Sequence, residues 1–307
     1  RETYVDLLIE YAAKNKDIVI LEADLMKAGG TFRFAEKYPE RTFDVVIQEA
    51  NMIGTAAGMS AMGKIPFTHT FTAFATRRVC DQVTLSVAYA GLNVKMMGSD
   101  PGVTAEYNGG THMSMEDVSI MRNIPGMIVY EPVDSAQLKA IFPQIVDHYG
   151  PVYIRLLRRN AVKVFEDGET FELGKGKLMR EGSDVSIFAT GIMVADAVEA
   201  VEELEKEGIH AELINIHTVK PLDEEMVLAS VAKTGCAVTA ENHSVIGGLG
   251  SAVAELLVEK DPVPVKKVGV MDHFGEVGLT PYLKEKYGLT AKDIIAAAKA
   301  AIAMKKR

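Results

Sequence analysis

Short runs of β-branched and aliphatic residues alternate with longer stretches of helical spacing along most of the chain. The runs DIVIL (17–21), FDVVIQ (43–48), IPFTHTF (65–71), NVKMMGS (93–99), MIVYEP (127–132) and VYIRLL (152–157) read as strands. Between them, TRRVCDQVTLSVAYAG and SAQLKAIFPQIVDHYG read as helices, the second entered through Asp134 and Ser135 as an N-cap signal. This βα alternation predicts an α/β fold, a mostly parallel sheet with helices on both faces. The segment VFEDGETFELGKGKLMREGSD (164–184) breaks the rhythm with Gly and charge, so a linker is expected at 166–182. Beyond it the rhythm resumes with DVSIFATG, HAELINIHTV, CAVTAEN and VKKVGV, and with the helix MVADAVEAVEELEKEG, stopped by Gly208. Two α/β domains are therefore expected, at 1–165 and 183–307.

Composition narrows the function classes. A chain of 307 residues, 48% hydrophobic and 24% charged, is that of a well-cored globular protein. The net charge of −9 leaves no excess of Lys and Arg to neutralise nucleic-acid phosphates, although a few local cations suffice for a small anionic substrate. Cys80 and Cys236 stand far apart, outside any CxxC or Cys/His cluster, and read as reduced thiols of a cytoplasmic protein without structural zinc. No apolar run approaches the ~20 residues that span a bilayer. The amphipathic, acidic stretch RETYVDLLIEYAAKN does not read as a signal peptide.

Candidate chemistry gathers at strand ends, where open parallel sheets bind ligands. Glu49 follows the run VVIQ and opens a segment of very small residues, Ala50, Gly54, Ala56, Ala57, Gly58, Ser60 and Ala61. Small residues on several faces permit close packing, so this helix is expected to be deeply buried. Its carboxylate is then poorly hydrated, partly neutral near pH 7 and able to donate or accept a strong hydrogen bond. The competing reading is a first-turn glutamate that offsets the helix dipole, worth about 0.3–1 kcal/mol. Phe71 and Phe74 end the next strand, with Arg77 three residues on. They are either core packing or a wall for a flat ring, which stacking favours by about 0.5–1.5 kcal/mol. The Gly-rich loop GSDPGVTAEYNGGTHMSMED carries Asp100, Asn108 and His112. The histidine serves either as an acid/base or oxygen ligand, or as a cap for the helix near Ser114. Finally, YIRLLRRNAV offers Arg155, Arg158 and Arg159, one to clamp an anion and the others solvated or paired.

FDVVIQEANMIGTAAGMSAMGKIPFTHTFTAFATRRVCDQV, NGGTHMSMEDVSIMRNIPGM and ENHSVIGGLGSAVAE, in that order, resemble the C-terminal half of transketolase. More closely, they resemble the separate C-terminal subunit of split transketolases, from Arg1 to about Ile302, over a pyrimidine-binding domain and a transketolase C-terminal domain. The resemblance implies thiamine diphosphate as cofactor and transfer of a two-carbon ketol unit from a ketose, of the pentose-phosphate kind, to an aldose. Glu49 matches the glutamate that bonds N1′ of the aminopyrimidine and promotes loss of the thiazolium C2 proton. Phe71 and Phe74 match the aromatics against that ring, and Asp24 and Leu25 the segment lining the cofactor cleft. Arg77 stands where transketolases carry Tyr and deoxyxylulose phosphate synthases carry Arg. His112 matches the histidine that contacts substrate hydroxyls, and Arg1 and Arg158 match arginines that hold a phosphate. Asp100 falls in the same substrate loop.

Departures from the family pattern are informative. An aspartate that recognises a hydroxyl is here Asn108, a donor as well as an acceptor, and a phosphate-binding serine is here Ala28; both point to an unusual donor or acceptor. Neither GDG nor NN, the family's metal-diphosphate signals, occurs. The chain is thus expected to hold only the pyrimidine end, with Mg²⁺ or Ca²⁺ and the diphosphate on an N-terminal partner subunit in an α₂β₂ heterotetramer, and to be inactive alone. The rivals are the β subunit of a 2-oxo acid dehydrogenase E1, half of a deoxyxylulose phosphate synthase-like enzyme, and a non-catalytic regulatory or scaffolding subunit.

Overall fold

The computed structural model describes residues 1–157, 159 and 161–305. Among these, the strands in chain order are β1 (Ile18–Glu22), β2 (Thr42–Asp44), β3 (Ile65–Phe71), β4 (Lys95–Ser99), β5 (Ile128–Tyr130), β6 (Val152–Leu156), β7 (Lys177–Arg180), β8 (Val185–Ala189), β9 (Ala211–Asn215), β10 (Thr218–Lys220), β11 (Ala237–Ser244) and β12 (Val265–Val270). They form a seven-stranded sheet, β10-β5-β6-β4-β3-β1-β2, and a five-stranded sheet, β12-β11-β8-β9-β7. β1, β4 and β6 are buried along their whole length, which is why none of them alternates apolar with polar positions. Helices cover both faces of the first sheet. Tyr4 and Leu8 of the helix Glu2–Lys14 meet Phe142 of the helix Ser135–Asp147 on one side. Met52 and Ile53 of the helix Glu49–Ala61 meet Val83 and Val87 on the other. The Asp134 cap is made as its residue type implies, its Oδ1 accepting from the Gln137 amide at 3.1 Å.

Four expectations need correction. The strand expected at 43–48 stops at Asp44. The Asp44 carboxylate accepts from the Asp24 amide at 3.1 Å and the Val46 amide at 2.9 Å, so the chain turns outward with Val46 at φ +52° and leaves Val46 and Ile47 exposed. The segment after Thr76 is not one α-helix: a 3₁₀ turn (Arg77–Val79) leads through Cys80–Gln82 into a π-helix (Val83–Tyr89). The linker contains strand β7, which pairs antiparallel with β9. Its Gly and charge content hid a short edge strand. Finally, β10 leaves the second half to pair antiparallel with β5 of the first sheet. The halves therefore share a sheet, and they share a buried ion network as well. Arg155, on β6, donates to Asp117 Oδ2 at 2.7 Å, to Glu131 Oε1 at 2.8 Å and to the Asn242 carbonyl at 2.7 Å.

Candidate functional site

Chain order turns back on itself between β1 and β3: β2 lies on one side of β1 and β3 on the other. A crevice opens beyond the carboxyl ends of strands at such a switch. Glu49 enters it as the first residue of its helix, with 3% of its surface exposed. The burial of this carboxylate agrees with the small-residue reading, but the helix around it is only half covered. Met52, Ile53, Ala56 and Ala57 face the core, while Ala50, Gly54, Gly58 and Ala61 lie bare. Arg78, which the sequence reading passed over, compensates the charge. Its Nη1 lies 2.9 Å from both Glu49 oxygens, and its guanidinium packs 3.8 Å from the centre of the Phe74 ring. No spacing rule signals Arg78, because the helix breaks at Thr76 and the contact arises across that break. Arg77, one residue earlier, is turned away by the 3₁₀ geometry. It donates to the Thr111 carbonyl at 2.7 Å and to Glu116 at 2.9 Å, clamping the Gly-rich loop.

That clamp brings His112 against the two phenylalanines. Its ring centre lies 5.4 Å from that of Phe71 and 5.1 Å from that of Phe74, both edge-on, and its Nδ1 is 2.9 Å from Thr111 Oγ1. The second half supports the same loop, as Asn242 Oδ1 accepts from the Val103 amide at 3.0 Å. Gly110 is needed there, because a Cβ on it would stand 2.3 Å from the Gly275 carbonyl oxygen. Gly110→Ala is therefore expected to shift His112, to lower kcat/KM by up to about 10²-fold and to lower the urea midpoint as well, because the atom it meets is backbone; steady-state kinetics beside a denaturation curve check it. Asn108 points a buried Nδ2 with no hydrogen-bond partner in the structure. A buried amide donor without a partner marks a place for a ligand oxygen.

The remaining predicted residues divide. Asp24, exposed at φ +59°, and half-buried Leu25 follow β1 directly at the switch. Asp100 is buried after β4 at φ +58°, its amide donating to the Leu156 carbonyl at 3.1 Å. Arg1 donates from Nη1 to the Ala28 carbonyl at 3.0 Å. Arg155 is consumed by its buried network, whereas Arg159 is exposed and lies 2.7 Å from Glu106; Arg158 lies outside the described residues.

Beneath the crevice a second polar set is sealed from water. Glu22 Oε1 accepts from Thr31 Oγ1 at 2.5 Å and lies 3.2 Å from His69 Nδ1, while the Tyr4 hydroxyl is 3.0 Å from His69 Nε2. Burial pushes the Glu22 carboxyl up to about 8 and the His69 imidazolium down to about 4. A carboxyl raised in the folded state binds a proton that the unfolded chain has released. Its stabilising contribution is complete below the unfolded pKa and is lost as pH rises towards 8. The neutral isostere Glu22→Gln removes that titration. Relative to Glu22→Gln, the wild-type chain is expected to lose stability between about pH 5 and 8, at no more than about 1.4 kcal/mol per pH unit. Urea melts of both proteins across that range read the difference.

Residues 1–163 match the family model of the transketolase pyrimidine binding domain, and residues 174–294 match that of the transketolase C-terminal domain. The chain is 71% identical over 298 residues to the 6-deoxy-6-sulfo-D-fructose transketolase subunit SqwH of Clostridium sp. (strain MSTE9), covering 97% of this chain and 92% of that protein. It is 40% identical over 297 residues to a putative transketolase C-terminal section from Methanocaldococcus jannaschii, covering 96% and 93% of the two chains. Among solved structures, a split gene transketolase described as an inactive β4 tetramer superposes with a TM-score of 0.93 at 47% identity, covering 100% of this chain and 99% of that one. The chain belongs to the transketolase family, and carries the pyrimidine-binding and C-terminal domains of that family.

Proposed function

We propose that this chain is the pyrimidine-binding subunit of a two-chain transketolase whose ketose donor carries a sulfonate at its far end, 6-deoxy-6-sulfofructose. Ketol transfer rests on one observation above all: Glu49, Phe71, Phe74 and His112 converge on the switch point of one sheet. The choice of donor rests on 71% identity to a subunit named for that sugar.

The crevice fits the aminopyrimidine of thiamine diphosphate. A buried carboxylate stands ready for a ring nitrogen, and aromatic faces lie beside it. When bound, the cofactor would supply a nucleophilic carbon for the ketose carbonyl and a sink for the electrons of the C2–C3 bond. Glu49 holds a proton at N1′ and shares its remaining oxygen with Arg78. His112 takes the proton from the C3 hydroxyl as the C2–C3 bond breaks. Asn108 Nδ2 donates to a neighbouring hydroxyl. Carbons 3 to 6 leave as a four-carbon aldose that keeps the sulfonate. The two-carbon unit then bonds to the carbonyl carbon of an acceptor aldose, whose oxygen takes up a proton.

A partner chain completes the site in this reading. Mg²⁺ or Ca²⁺ and the diphosphate are assigned in this reading to an N-terminal subunit, because the sequence carries neither GDG nor NN, the family's metal-diphosphate signals. Apolar exposure supports this: Val46 and Ile47 lie bare beside Glu49, and Tyr107 and Phe274 beside the substrate loop. Glycine inside a helix is unfavourable by about 1 kcal/mol, and exposed Gly54 and Gly58 suit the close approach of another backbone. The assembly proposed is α₂β₂. The test is product analysis by mass spectrometry with the reconstituted complex, 6-deoxy-6-sulfofructose and an aldose acceptor. A four-carbon sulfo-aldose is expected; turnover of fructose 6-phosphate alone would overturn the sulfosugar donor.

A further inference from the structure

We infer that Glu106 is a positioning residue, which straps the substrate loop to the second half of the chain and so fixes where His112 stands. The inference rests on the ketol-transfer reading above. Glu106 is 5% exposed and lies six residues before His112. Its backbone has φ +48° and ψ −114°, close to the mirror image of an extended conformation. Glycine reaches that region freely. A residue with a side chain is strained there and persists only where its surroundings over-determine it.

The side chain supplies the anchor. Glu106 Oε1 accepts from the Thr280 amide at 3.0 Å and from Thr280 Oγ1 at 2.7 Å. Thr280 opens the helix Thr280–Tyr287 of the second half, where first-turn amides lack intrahelical partners and the helix dipole favours a negative charge. Oε2 lies 2.7 Å from Nη2 of the exposed Arg159. The main chain carries the constraint on to the histidine. The Glu106 carbonyl accepts from the Gly109 amide at 3.1 Å, and the Gly109 carbonyl accepts from the amides of His112 and Met113, both at 3.0 Å. Turning the Glu106 peptide therefore moves Gly109 and, one hydrogen bond later, His112. Asn108, with its buried Nδ2, lies inside the same tie. The ends of the loop have anchors of their own on β11: Asn242 Nδ2 donates to the Pro101 carbonyl at 2.9 Å, and the Ser244 amide to the Met115 carbonyl at 2.8 Å. Glu106 grips the middle. Strain and strap are separable by substitution. Glu106→Ala removes the strap and keeps the strain, and Glu106→Gly removes both. Glu106→Gln keeps both, since an amide oxygen accepts from Thr280 as a carboxylate does.

The test compares the three variants with wild type by three measurements. These are hydrogen exchange over residues 101–115 of the full chain, urea unfolding, and turnover of 6-deoxy-6-sulfofructose by the complex with its partner chain. Glu106→Ala and Glu106→Gly are both expected to speed exchange of that segment about 10- to 100-fold, the loss of hydrogen bonds to a charged group. Both should lower kcat/KM about 10- to 100-fold. Glu106→Gly should unfold at a higher urea midpoint than Glu106→Ala, because glycine relieves the backbone, yet be no more active. Glu106→Gln should lose at most about fivefold in exchange protection or kcat/KM. Activity that follows the urea midpoint, with Glu106→Gly recovering to the wild-type rate, makes Glu106 a residue of stability alone and overturns the inference. Unchanged exchange in Glu106→Ala, or equal impairment in Glu106→Gln and Glu106→Ala, overturns it as well; each of these leaves ketol transfer standing. If the wild-type complex leaves the sugar untouched, the proposed reaction falls by itself, and exchange, which needs no substrate, still decides whether Glu106 orders the loop around His112.

Discussion

Glu49→Gln in the reconstituted complex is expected to lower kcat by about 10²- to 10⁴-fold, the range for loss of a positioned proton-transfer group. Glutamine keeps the shape and can still accept a hydrogen bond, but it cannot take or return a proton at the pyrimidine nitrogen. The effect should fall on kcat rather than on assembly. Glu49 is at the first helical position, where its own backbone amide needs no intrahelical partner, and the core-facing Met52, Ile53 and Ala56 are untouched. Sedimentation of the complex beside single-turnover kinetics separates the two. A variant that assembles and turns over at the wild-type rate removes Glu49 from the chemistry. Arg78 is the control: it sits on both Glu49 oxygens and over Phe74, so Arg78→Ala should perturb cofactor affinity more than the rate at saturating cofactor.

The largest expected effect on stability is that of Arg155→Met, a loss of about 3–5 kcal/mol. Methionine has similar bulk, so packing is not the main change. The loss comes from the two carboxylates left in a dry interior. Burial pushes Asp117 upward, but the charge and hydrogen bonds of Arg155 overcome that and hold it below its ordinary value. Glu131 is pushed up by burial despite the pull of the same arginine. Asp117, with its folded value depressed, contributes stability above its unfolded pKa that is lost as pH falls through the folded one. In Arg155→Met that acid-side loss should shrink while the loss at neutral pH appears, as urea unfolding of both proteins at pH 4 and pH 7 would record. Both sheets feel the change, because Arg155 also holds the Asn242 carbonyl and Asn242 supports the substrate loop.

Much of this architecture was legible because buried parallel strands write themselves as apolar runs. IPFTHTF became β3 without a residue's difference, and the Asp134 cap and the Gly208 stop marked helix ends where the backbone needs them. What escaped depends on contacts remote in sequence. β10 reads as the tail of β9, and only its pairing with β5 reveals that the halves share a sheet. β7 is short, polar and at an edge, so hydrophobic period carries no signal for it. The crevice divides the same way. Glu49, the two phenylalanines and His112 could be named from strand-end logic and a family resemblance. The choice between Arg77 and Arg78 turns on a 3₁₀ step that no spacing rule supplies. Glu106 was invisible, since its role comes from a positive φ and from Thr280, 174 residues away.

Near-UV circular dichroism during titration with thiamine diphosphate and Mg²⁺ tests the divided site most directly, run on this chain alone and on its mixture with the N-terminal subunit. A site that holds only the pyrimidine end here gives a saturable signal in the mixture alone, altered again by a ketose donor. Tight, saturable binding by this chain without a partner would contradict it, because the metal and diphosphate would then have ligands on residues assigned here to no such role.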